Sequence, residues 1–274
     1  MLSVGYAAFP NPPRHIMKRM FQRAGLLLSF VAALPMMAAD LAPIGTLRAT
    51  FLEDNPVQGR VDAATGAITG PVADLVKELA RRLNVPYIIM PAPNARAVMD
   101  NLKAHKADIG FLAYDAARAT EVDYTRSYAL MHSSYLVRAD SPIQASADAD
   151  RAGMRVGAVK GQSQQTYLSG NLKAAKVIIY EATPPQAELE KLLLNGEIDA
   201  FGANRQRMVE AAAAAPKLRV LADDFLAAGQ AIVMEKGDPA RIQELNRFLD
   251  DVRSSGFVKA SLEHAKLAGV DPAP

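Results

Sequence analysis

The chain has 274 residues, half of them hydrophobic and none of them Cys, with 31 Lys and Arg against 29 Asp and Glu. That apolar share excludes a disordered chain and is enough for one large core or two ordinary ones. The near-even charge gives no electrostatic basis for nucleic acid as a partner, and the lack of Cys removes disulfides, thiol nucleophiles and Cys-held zinc or iron–sulfur sites.

In chain order, Met17-Lys18-Arg19-Met20-Phe21-Gln22-Arg23 is a basic run, and residues 24–39 after it carry no charge. The apolar stretch is too short to span a bilayer comfortably and ends in Ala38-Ala39 before Asp40. A positive head, a short apolar body and small residues at the exit describe a secretory signal peptide; no stop-transfer signal follows to support a membrane anchor. No Cys follows the apolar run, so lipid attachment there is excluded. Residues 1–16, with Pro10, Pro12 and Pro13, read as sequence ahead of the true start. Removing residues 1–39 takes away Arg14, Lys18, Arg19 and Arg23, lowering the basic count from 31 to 27 against 29 acidic. The expected mature protein is exported and slightly acidic.

Strands and helices then alternate. Thr46 to Leu52 reads as a strand, broken by Asp54-Asn55-Pro56. Thr65-Gly66 suits a hairpin turn, and Gly70-Pro71 opens a helix whose Val72, Leu75, Val76, Leu79 and Leu83 share one face. Asn84-Val85-Pro86 ends it. Tyr87 to Met90 reads as a buried strand, followed by a helix with Val98, Met99 and Leu102 inward and a strand over Ala107 to Leu112. The pattern restarts with a strand at Arg155 to Val159, the polar loop Lys160-Gly161-Gln162-Ser163, and a helix through Tyr167 and Leu172. A strand at Val177 to Tyr180, a helix at Gln186 to Leu194 and a strand at Ile198 to Phe201 complete it.

Two such units in tandem predict an α/β protein of two lobes, each a mostly parallel sheet flanked by helices. The extended apolar runs Tyr135 to Arg138 and Ala231 to Met234 are candidate crossing strands, with helices over Ile242 to Val252 and Phe257 to Leu267 returning to the first lobe. The expected organisation is a leader and signal peptide over 1–39, lobe 1 over 40–136, lobe 2 over 137–230 and the return to lobe 1 over 231–274. A ligand site is expected between the lobes, at the carboxyl ends of the strands.

Four segments carry a family resemblance. They are Leu102-Lys103-Ala104-His105-Lys106-Ala107-Asp108-Ile109, Arg118-Ala119-Thr120-Glu121-Val122-Asp123-Tyr124-Thr125, Arg155-Val156-Gly157-Ala158-Val159-Lys160-Gly161-Gln162-Ser163 and Gly196-Glu197-Ile198-Asp199-Ala200. In order and spacing, from Gly45 to about Phe257, the chain resembles the type II periplasmic solute-binding proteins, in particular family 3, the amino-acid receptors of ABC importers. The resemblance implies a monomeric periplasmic receptor, with a small ligand between the lobes and an inner-membrane permease as partner.

The resemblance implies that Arg118 offers its planar fork to a ligand carboxylate; the other reading pairs it with Glu121 or Asp123 at the surface. Gly161-Gln162-Ser163 stands where a strand gives way to a helix, so its free N–H groups and the Ser163 hydroxyl suit an anion, although Ser163 would equally make a helix cap. Three positions depart from the family. Asn204 stands where the resemblance implies an Asp for the ligand ammonium, and a neutral amide cannot balance that charge. The loop before Arg118 is Leu112-Ala113-Tyr114-Asp115-Ala116-Ala117, in which Asp115 is either a displaced acid or a cap, and Tyr114 an apolar wall. Asp54-Asn55-Pro56 stands where the resemblance implies a stacking aromatic. The candidate site is therefore Asn55, Ala113, Tyr114, Asp115, Arg118, Gly161, Gln162, Ser163 and Asn204, for an amino acid, a derivative without a free amine, or a small organic acid.

No metal, cofactor or catalytic residue is expected: His15, His105, His132 and His264 are scattered, with no paired spacing. A cyclohexadienyl dehydratase-like enzyme is the alternative on this fold, with Glu53, Asp54 or Asp115 as its acid, and an accessory or sensory binding protein is a third.

Overall fold

A computed structural model describes residues 40–274; the leader and signal peptide read from residues 1–39 lie outside the described residues. The first elements are β1 (Leu47–Leu52), β2 (Arg60–Val61), β3 (Ile68–Thr69), α1 (Pro71–Leu83), β4 (Tyr87–Ala92), α2 (Ala95–Lys103), β5 (Ile109–Ala113) and β6 (Val122–Arg138). Next come β7 (Arg155–Val159), α3 (Ser163–Asn171), β8 (Lys176–Tyr180), α4 (Gln186–Leu194), β9 (Ala200–Asn204), α5 (Arg205–Ala214) and β10 (Leu218–Val220). The chain closes with β11 (Leu226–Glu235), α6 (Pro239–Ser254), α7 (Phe257–His264) and β12 (Val270–Pro272).

Local chemistry accounts for the limits. In α1, Pro71 sits in the first turn, where its missing N–H costs nothing. Asp74 lies near the positive end of that helix and Arg81 and Arg82 near the negative end, and Asn84 turns the chain out in the left-handed region at φ 55°. The Asn94 side chain caps α2 by accepting from the Ala97 N–H at 2.9 Å.

The main sheet runs β4-β1-β5-β11-β6-β9-β7-β8. β1 is parallel to β4 and β5, and β7 is parallel to β8 and β9. Between these triplets lie β11 and β6, antiparallel to each other and to the strands they join. β6 is 17 residues long: it pairs with β11 from Val122 to Ser133, then with β9 over Ser133 to Leu136 and β10 over Leu136 to Arg138. One strand thus carries the chain out of the first half-sheet into the second, and β11 carries it back. This is the two-lobed α/β architecture expected.

Each lobe has its own cores. In the first, α1, α6 and α7 bury Val72, Val76, Leu245, Leu249 and Val258 against Leu47, Phe51 and Ile109, while α2 covers the other face with Val98 and Leu102 against Leu112 and Val233. In the second, Leu189, Leu193 and Met208 close over Phe201 and Val159, and Leu168 and Leu221 pack with Tyr135 and Val156. Gly202 leaves room for the Leu168 side chain where α3 meets β9: a Cβ there would lie 2.8 Å from its Cδ1. At the junction, Val57, Ala113, Met131 and Ala228 form a small apolar cluster.

β4 departs from the buried strand read from Tyr87-Ile88-Ile89-Met90: Tyr87 and Ile88 are 42% and 52% exposed. Its hydrogen-bonded neighbour is β1 alone, so it forms the outer edge of the sheet. Among the described residues no helix is long and apolar enough to cross a membrane.

Candidate functional site

The turns at the carboxyl ends of the parallel strands in the two lobes face each other across a cleft bridged by Arg118–Gly161, Gln162–Asp54, Thr183–Asp54 and Arg207–Asp54 contacts. From the first lobe come the turn after β1, with Asp54 and Asn55, and the turn after β5, with Tyr114, Asp115 and Arg118. From the second come Gly161-Gln162-Ser163 after β7, Thr183 after β8, and Asn204 with Arg207 after β9.

Arg118 links the two sides. Its Nη1 donates to the Ala113 carbonyl at 3.2 Å within its own lobe, and its Nη2 donates across the cleft to the Gly161 carbonyl. Gly161 holds φ +71°, which turns that carbonyl outward at a position where a side chain would be strained. Among the described residues the Arg118 guanidinium meets carbonyl oxygens and the Tyr124 phenol and has no carboxylate ion-pair partner, so the surface pairs with Glu121 or Asp123 do not form. Glu121 is instead held by Arg96 and Lys103. Ala113 O also accepts from the Tyr124 hydroxyl at 3.2 Å. Burial pushes the Tyr124 phenol upward, partly offset by the Arg118 charge and hydrogen bond. Tyr114, 54% exposed, stands edge-on to Tyr124 at 5.2 Å and offers an apolar wall.

Asp115 is buried, and its Oδ1 accepts from the Ala117 and Arg118 N–H groups at 2.9 and 3.1 Å. It caps the turn that presents Arg118, as the second of its two readings had it. Asn204, also buried, caps α5 by accepting from the Arg207 N–H at 2.9 Å. Asn55 holds its turn by accepting from the Val57 N–H at 3.2 Å. Ser163 opens α3 and lies within 3.4 Å of Gln164 Oε1, while Gln164 donates to Ser133 at 2.9 Å. Gln162 crosses the cleft, its Nε2 3.4 Å from Asp54 Oδ2.

Sequence reasoning named Asp54 only as a possible acid and did not include Thr183 or Arg207. Asp54 Oδ2 accepts from Thr183 Oγ1 at 2.9 Å and lies 3.8 Å from Arg207 Nη2, which also donates to the Asp54 carbonyl. Burial pulls the Arg207 guanidinium below its usual range, opposed by the charges of Asp54 and Glu210. The one signal in the sequence was the place of Arg207 three residues beyond Asn204; the helix that carries it is hidden by a run of Ala.

Two surface hollows lie away from the cleft: one of about 270 Å³ around Arg48 and Arg241, the other of about 390 Å³ between α1 and α7. Among the described residues no three His, Asp or Glu side chains gather as metal ligands.

Two lobes meeting at the carboxyl ends of their strands, bridged by an Arg without a carboxylate partner among the described residues, define a solute-binding architecture. The chain belongs to the bacterial extracellular solute-binding proteins, family 3, whose pattern matches residues 47–264. No curated protein matches the chain. Among solved structures, the chain is similar to a putative binding component of an ABC transporter from Wolinella succinogenes, complexed with lysine. The two are 22% identical with a TM-score of 0.69, over 81% of this chain and 95% of that one. An amino-acid ABC transporter substrate-binding protein from Streptococcus pneumoniae, bound to L-arginine, gives 20% identity and a TM-score of 0.67, covering 81% and 94%. An ancestral amino-acid-binding protein described as a precursor of cyclohexadienyl dehydratase gives 24% and 0.65, covering 80% and 94%. At these identities the likeness is one of fold.

Proposed function

We propose that the protein is the periplasmic receptor of an ABC importer, binding a small carboxylate-bearing solute between lobes formed by residues 40–136 with 231–274 and by residues 137–230. It is exported by the signal peptide over 1–39, carries no lipid anchor and works as a monomer that delivers its load to an inner-membrane permease. The observation that carries this reading is Arg118, whose guanidinium spans the cleft on two carbonyl oxygens. A carboxylate offers the same fork two charged acceptors, shorter and roughly twice as strong as neutral ones. The ligand displaces the carbonyls, with Gly161, Gln162 and Ser163 closing from the opposite lobe and Tyr114 as the apolar wall. Lysine and arginine, bound in the neighbours from Wolinella and Streptococcus, are themselves carboxylates.

Catalysis is not part of this reading. Of the three acids considered for a dehydratase, Asp115 is bonded to two backbone N–H groups, Asp54 is held by Thr183 and Arg207, and Glu53 is exposed to solvent, so none is a buried carboxyl set aside for the reaction. Turnover of prephenate or arogenate would overturn that statement.

A thermal-shift panel of free amino acids, their acylated or deaminated derivatives and small organic acids tests the receptor. A solute at 100 times its Kd stabilises the fold by about 2.7 kcal/mol, a clear rise in Tm. Silence across the panel, with capture of a partner protein, would favour an accessory role.

A further inference from the structure

A solute with a cationic side chain, such as the lysine or arginine held by the neighbours, needs an unpaired carboxylate in the cleft. Glu53 is exposed to solvent, and the partly or fully buried acceptors of this cleft are already committed. Asp115 is bonded to two backbone N–H groups and Asn204 to the N–H of Arg207. Asp54 faces the guanidinium of Arg207, with Thr183 and Gln162 completing its shell.

Among the described residues Arg207 forms an ion pair with no other carboxylate, although the charge of Glu210 also acts on it. Glu210, one turn further along α5, is paired with Arg60 and accepts from Gln206 at 2.6 Å. Arg207 also stands in the first turn of α5, a turn without acidic residues, at the end of the helix where a positive charge is disfavoured. That placement demands an anionic partner from elsewhere in the fold, and Asp54 of the opposite lobe supplies it. Asn204 contributes by capping the very turn that aims Arg207 at Asp54.

We propose that Arg207 is a specificity-determining residue: it sits against Asp54 as a built-in counterion, so that the cleft refuses solutes with a cationic side chain and admits neutral or acidic carboxylates. This rests on the reading of the cleft as a carboxylate-solute site. A ligand ammonium or guanidinium brought to Asp54 meets a like charge already in place, in a cleft where burial weakens solvent screening.

Calorimetric titration of the full protein and of Arg207→Met with L-arginine and L-lysine tests the proposal, with L-glutamine and succinate as non-basic probes. Arg207→Met is expected to bind at least one basic amino acid at least tenfold more tightly than the wild type, and adding Asp54→Asn is expected to remove the gain. Arg207→Gln, with melting curves for each variant, guards against loss of fold. Wild-type binding of L-arginine or L-lysine as tight as in the variants would overturn the proposal. So would two folded variants with no gain while glutamine, succinate or another panel acid still binds the wild type. Silence of the wild type and both variants towards every carboxylate would overturn the reading of the cleft and this proposal with it.

Discussion

In the first lobe, Asp108 grips Arg48 at the head of β1, accepting from its backbone N–H at 2.9 Å and from both arms of its guanidinium at 3.1 and 2.6 Å. In the second lobe, Asp199 grips Arg155 at the head of β7 in the same way, at 2.8, 3.3 and 3.3 Å. Side-chain exposure separates the two: 18% and 3% for Arg48 and Asp108, against 40% and 28% for Arg155 and Asp199. Chain connectivity supplies the reason. The first lobe is built from both ends of the described chain, so Pro43 and Ile44 from one end and Arg241 from the other flank its clamp, with Arg241 Nη2 3.4 Å from the Asp108 carbonyl. The second lobe is formed by a single run of chain and gains no such cover. The same local motif carries different energetic weight according to what returns to bury it.

The largest expected effect follows directly. Asp108→Ala leaves a largely buried guanidinium with the His105 carbonyl but no carboxylate, and should cost about 3 kcal/mol of folding stability. Asp199→Ala breaks a half-exposed pair and should cost about 1 kcal/mol. Urea denaturation of the two variants checks both, and equal losses would break the comparison. A smaller effect concerns Tyr128, fully buried beside Phe111 with no partner for its hydroxyl. Removing an unpaired buried hydroxyl as Tyr128→Phe should leave stability unchanged or raise it by up to about 1 kcal/mol. A loss of more than that would reveal a partner for the hydroxyl.

The smallest effect is a pH dependence confined to the first lobe. Hydrogen bonds from Arg81 and then Arg82 hold the Glu78 carboxyl down from 4.5 to about 2. Its folded-state pKa is depressed, so its contribution is present above pH 4.5 and is lost as the pH falls towards 2. Because Arg81, the first of the two partners, is exposed and screened by solvent, Glu78→Gln should cost about 0.5 kcal/mol at neutral pH. The gap between variant and wild type should close below pH 4.5 in acid-titration melts; a gap independent of pH would contradict the assignment.

The strands and helices legible in the sequence are those bounded by turn chemistry and filled by large apolar residues. Arg155 to Val159 and Gln186 to Leu194 fall at the limits read from the residues. α5 was not legible: its inward face is Gln206, Met208 and Ala211, and a run of Ala hides the helical period. β12 includes Pro272 and exists only through its pairing with β6. In the cleft, Gly161 and Gln162 could be placed because they follow a strand at a turn, and Arg118 through the family resemblance of its segment. The shell of Asp54 was not, since its partners Gln162, Thr183 and Arg207 lie 108, 129 and 153 residues away and meet it only once the lobes are assembled.

Arg118 is the residue on which the account turns, and calorimetric titration of the wild type and Arg118→Ala with the solute found by thermal shift tests it most directly. Loss of a bidentate charged contact predicts at least a tenfold weaker Kd, about 1.4 kcal/mol or more, in a variant that still melts cooperatively. An affinity within about 1 kcal/mol of the wild type would contradict the carboxylate clamp, since each charged hydrogen bond is worth about 1.5–3 kcal/mol.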